Sequence, residues 1–82
     1  MEIIVRVRMR ENGAWRDAVL REEGGTADGN LKIVATGENM EIPAAHIAMI
    51  KVQNFGDLDK ERYTAAIILI QKALEAGFKV TW

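Results

Sequence analysis

The residue types able to carry covalent or metal chemistry are few in this chain. It contains neither cysteine nor serine, so no Ser-His-Asp or Cys-His nucleophile can be assembled and no disulfide framework exists. The single histidine, His46, sits in an apolar stretch without a thiolate, and the usual four-ligand zinc site cannot be completed around it. Its expected role is that of a packed or edge residue. The remaining candidate nucleophiles are Thr26, Thr36, Thr64, Thr81, Tyr63, the lysines and the carboxylates, and none stands in a recognisable catalytic motif. The seven glycines fall in neither G-x-G-x-x-G nor G-x-x-x-x-G-K-[ST] spacing. "DLDKE" places Asp57, Asp59 and Glu61 at the one-three-five spacing that opens a calcium loop, but Arg62 and Ile68 occupy the positions where such a loop needs glycine and glutamate. An acidic first helical turn accounts for the same residues. The expectation is a protein that is not an enzyme, with no catalytic residues, no bound metal and no cofactor.

One stretch suits binding. "RVRMRENGAWRD" sets Arg6, Arg8 and Arg10 at alternate positions, turns at Asn12-Gly13, and returns with Trp15 beside Arg16. Arginines beside an indole fit a phosphate backbone and a stacked base. Charge balance disfavours this: residues 1–23 carry five arginines against five acids, and the whole chain has a net charge of −1. A nucleic-acid module shows a basic excess on its binding face.

The elements that must position these residues follow from local pattern. Asn12-Gly13 between alternating runs predicts a hairpin of residues 3–11 and 14–22 with a two-residue type I′ turn. That register opposes Val5 to Leu20, Val7 to Ala18 and Met9 to Arg16 on one face. The other face opposes Arg8 to Asp17, Arg10 to Trp15 and Arg6 to Val19. "REEGGTADGN" (21–30) reads as a mobile loop with Asp28-Gly29 as its turn. "LKIVAT" (31–36) and "MEI" (40–42) are strands around the turn 37–39, and Pro43 ends the second. Residues 43–51 are either a short helix or one 3₁₀ turn feeding a strand near 46–53; the alternation of Ile50 and Val52 favours the strand. An N-cap at Asp57, acids in the first turn and Gly77 predict a helix over about 58–76. Its core-facing stripe is read as Tyr63, Ile67, Ile70 and Leu74, with Ala66, Leu69 and Ala73 beside it. Ile68 falls instead among Thr64, Gln71, Lys72 and Glu75. "FKVTW" (78–82) alternates as a final strand.

"GNLKIVATGENMEIPAAHIAMIKV" resembles the strand, turn, short-helix, strand step of Sm-like and SH3-like small barrels. That resemblance covers under a third of the chain, and small barrels host unrelated functions. The fold expected is α+β over a single domain, 1–82: a small, strongly bent antiparallel sheet or partly open SH3-like barrel of about five strands, one C-terminal helix packed on it, and a final short strand.

With 49% hydrophobic and 28% charged residues the chain belongs to the globular class. No apolar run approaches the roughly 20 residues of a membrane span, and arginines occupy the segment where a signal peptide is uncharged. No membrane association and a cytoplasmic location are expected. The functional expectation is a small non-catalytic protein-interaction module, acting as a homo-oligomer (a dimer) or through a protein partner. Its candidate interaction residues are Arg6, Arg8, Arg10, Trp15, Ile68 and Lys72, with Ile68 near a two-fold axis and Lys72 at its rim. The alternative is an RNA or single-strand binder using the Arg/Trp face.

Overall fold

The computed structural model describes residues 2–23 and 30–82. The expected loop turn at Asp28-Gly29 lies outside them. Six strands, β1 (Glu2–Met9), β2 (Trp15–Glu23), β3 (Asn30–Ala35), β4 (Met40–Glu41), β5 (Ile47–Val52) and β6 (Val80–Thr81), form one sheet in the order β4-β3-β2-β1-β5-β6. The sheet stays open, and one helix, α1 (Lys60–Glu75), packs on it. Neighbours are antiparallel except β6, which joins β5 in parallel and makes the sheet mixed. Among the described residues no helix is long and apolar enough to cross a membrane.

The hairpin forms where Asn-Gly places it, in a register two residues away from the expected one. Its loop is four residues long, 10–13, not two. Met9 N–H donates to Ala14 O at 2.7 Å, and Gly13 N–H to Met9 O at 2.9 Å. Only Gly13 takes a positive φ, +70°, whereas a type I′ turn needs Asn12 there as well. Asn12 instead uses its side chain, accepting the Ala14 N–H at 3.0 Å. The pairs become Val5–Ala18, Arg6–Asp17, Val7–Arg16 and Arg8–Trp15. Because side chains alternate with period two, a two-residue shift keeps every side chain on its intended face.

Pro43 leads into a single 3₁₀ turn, Ala44–His46, and β5 starts directly after it. The 3₁₀-then-strand reading of this segment is therefore the observed one. A bulge between Arg8 and Met9 in the β1–β5 ladder adds a residue to β5. It lets Ile47 face the core although Ile50 and Val52 set the opposite parity.

The helix begins two residues later than expected. Asp59, not Asp57, is its N-cap, its Oδ1 accepting the Arg62 N–H at 2.8 Å, while Asp57 closes a preceding 3₁₀ turn. At the other end Gly77, at φ +95°, allows Phe78 N–H to reach Ala73 O and Gly77 N–H to reach Leu74 O. Chain reversal there sends β6 back along the helix.

The core lies between α1 and one sheet face. Ile3, Val5, Val7, Ala18, Leu20, Ile33, Ile47, Ile50 and Val52 meet Ala66, Leu69, Ile70 and Ala73. Tyr63, Ile67 and Leu74, expected in this stripe, are exposed. Their displacement corresponds to a helix turned by roughly 80° at 100° per residue. Ala66 and Ala73, both fully buried, lie one heptad apart on the face the helix turns to the core.

Candidate functional site

Two surfaces collect the residues singled out above. The first is the sheet face away from α1, where cross-strand register builds rows. One row is Trp15, Arg8 and Met49; the next is Asp17, Arg6, Lys51 and Thr81. Beyond them Val19 stands opposite Ile4, which is 66% exposed. Arg6 Nε lies 3.4 Å from Asp17 Oδ1, and its guanidinium carbon sits 5.9 Å from the Trp15 ring centroid. Arg8 lies against the hairpin turn, close enough that a Cβ on Gly13 would meet its Nη2 at 3.5 Å. Arg6, Arg8 and Trp15 thus share this face, but Arg6 takes the place expected of Arg8 against Asp17 and of Arg10 against the indole.

Arg10 is not part of that group. Its N–H donates to His46 O at 2.8 Å and its Nη2 to Ile47 O at 3.3 Å. The bulge carries it off the face, into a cleft with Ala48, Gly77 and Phe78. Sequence reasoning missed Lys51, which the β1–β5 ladder sets opposite Arg6. No local signal could have revealed a pairing across that separation.

The second surface belongs to α1. Tyr63, Ile67 and Leu74 lie on one flank, 45%, 40% and 48% exposed. Phe55 stacks at 5.0 Å from the Tyr63 ring and 6.2 Å from that of Trp82, which is 63% exposed. The result is one apolar strip along the helix, broadened at its start by three aromatic rings. Ile68 lies about 120° round the helix from that strip, 41% exposed, in a shallow depression with Lys60, Glu61, Thr64 and Ala65. Lys72, expected at the rim of an Ile68 patch, is turned inward. Its Nζ lies 3.3 Å from Glu22 Oε1, the two side chains being 18% and 5% exposed. β2 carries its helix-facing parity, Ala18 and Leu20, one step too far, so Glu22 also faces α1. Lys72 supplies the counter-charge.

Among the described residues no cluster of three or more His, Asp or Glu side chains could hold a metal ion. His46 is exposed, and Thr64 Oγ1 is committed to Lys60 O at 3.0 Å. A further cleft of about 540 Å³, lined by Glu2, Ile4, Val52, Asp57, Leu58 and Arg62, mixes polar and apolar walls and is open on one side. Its charges are partly committed: Glu2 is paired with Arg21 at 3.0 Å and Arg62 lies 4.0 Å from Asp59. No protein-family model matches the chain, and neither a curated protein nor a solved structure is detectably similar to it.

Proposed function

We propose that this protein is a non-catalytic interaction module that associates with a second copy of itself through the Tyr63–Ile67–Leu74 flank of α1. The observation that carries this reading is the strip itself. A lone exposed isoleucine such as Ile68 is ordinary, but Tyr63, Ile67, Leu74 and Trp82 with Phe55 gather large apolar side chains on one side of the molecule, and such grouped patches are often functional.

A second copy is favoured as the occupant because the flank is complementary to itself. Lys60 opens the helix and Glu75 ends it. Both are disfavoured by the helix dipole of their own chain. Neither has an ion-pair partner among the described residues. At 100° per residue Lys60 lies about 40° and Glu75 about 100° from the centre of the strip, both on its solvent side. When two such helices pack antiparallel about a two-fold axis, Tyr63 meets Leu74 of the partner subunit and Lys60 meets Glu75 of the partner subunit.

Light scattering at micromolar concentration tests this directly. The native chain is expected at twice the 9.2 kDa of one copy, and Ile67→Glu at the single mass with an unchanged circular dichroism spectrum. Ile68→Glu is expected to remain dimeric. A reversed pattern would move the interface to the Ile68 flank, and a native monomer at hundreds of micromolar would overturn self-association.

A further inference from the structure

We infer that the sheet face opposite α1 is a binding site for single-stranded nucleic acid, centred on Arg8, Lys51, Arg6 and Trp15. Folding redistributes the charges that balance along the chain. Of the acids in the first 23 residues, Glu2 is committed to Arg21 at 3.0 Å and Glu22 lies behind the sheet against Lys72. Glu11 is in the hairpin loop. Glu23 pairs with Asn30 at the far end of β2, which leaves Asp17 as the one of these five acids within the block formed by Arg6, Arg8 and Lys51. With strands about 4.8 Å apart and alternate residues about 6.8 Å apart, these three cations spring from one small patch. Arg8 and Lys51 have no ion-pair partner among the described residues.

The ligand class follows from what surrounds the cations. Trp15 and Met49 flank Arg8 in the same row, giving an apolar platform beside unpaired positive charge. Trp15 is 37% exposed, and the Arg6 guanidinium over its ring is the start of a stack that a base extends. Phosphates satisfy Arg8 and Lys51 while bases lie on the platform. A duplex hides its base faces, and its major groove admits a helix or a two-stranded ribbon, not a broad sheet. A single strand offers both of its chemistries to this face.

Fluorescence anisotropy with fluorescein-labelled mixed-sequence DNA and RNA strands of about 16 nucleotides tests the site. At about 50 mM salt we expect saturable binding, weakening as salt rises by about 0.7 in log–log slope for each phosphate contact. Arg8→Ala and Lys51→Ala should each flatten that slope by one contact. Trp15→Ala should weaken binding several-fold with the slope unchanged, and Lys60→Ala, on the helix behind the sheet, should change nothing. Ile67→Glu should bind as the native chain does, since the site does not involve the helix flank. No binding at tens of micromolar protein would overturn the inference. So would equal binding of a duplex, or slopes indifferent to Arg8 and Lys51.

Discussion

At the scale of single residues, Glu22 and Lys72 form the least exposed ion pair among the described residues. Glu22 Oε1 has its cation at 3.3 Å, while Oε2 is buried with no hydrogen-bond partner. Removing the cation leaves a buried charge uncompensated. Lys72→Met is therefore expected to lower unfolding stability by roughly 2–3 kcal/mol, below the figure for a fully dry pair because Lys72 keeps some contact with water. Replacing both partners, with Glu22→Leu added, should recover most of the loss because it removes the charge that needs solvation. Urea denaturation of the two variants checks this, and a double variant no more stable than Lys72→Met would contradict it. The sequence pattern marked Lys72 as a surface lysine next to Ile68. Its true setting depends on β2 outrunning its apolar run at Glu22, a three-dimensional coincidence of strand end and helix end.

At the scale of elements, the helix and the first hairpin show what pattern can and cannot convey. Both exist where the residues place them, because Asn12-Gly13 breaks one alternation and Asp59 and Gly77 bracket one helical period. Their fine setting follows from contacts that hydrophobicity does not weigh. Pattern reading lets the bulky Tyr63, Ile67 and Leu74 define the buried stripe, whereas the helix docks through the small Ala66 and Ala73. The alanine spacing of one heptad was the available signal. The hairpin register turned on Asn12, whose side chain bonds Ala14 and lengthens the loop. Lys51 and Met49 could not be read at all, since only the long-range β1–β5 ladder brings them to Arg6 and Arg8.

The turned helix has a measurable consequence. Leu69→Ala, at a fully buried position, should cost about 2–5 kcal/mol. Ile67→Ala in the monomer should cost about 0.5 kcal/mol or less, as surface changes do. Equal losses from the two in chemical denaturation at sub-micromolar concentration would return the helix to the expected orientation.

At the scale of the whole molecule, the open sheet has one covered face and one bare one. The α1 side holds the core, and its flank carries apolar surface beyond what one copy hides. The bare side carries Arg6, Arg8, Lys51 and Trp15. Dimerisation through α1 would leave the two bare faces free, so the proposed self-association and the inferred nucleic-acid binding would occupy separate surfaces and be separable by mutation. A charge-reversal cycle measured by sedimentation equilibrium tests the proposed antiparallel helix pair most directly. Lys60→Glu and Glu75→Lys should each weaken the dimer, because each sets like charges opposite one another twice about the two-fold axis. Combined in one chain, they should restore association to near the native constant. Single variants that associate as tightly as the native chain, or a double variant as weak as the sum of the two, would contradict the proposed pairing of Lys60 with Glu75 across the interface.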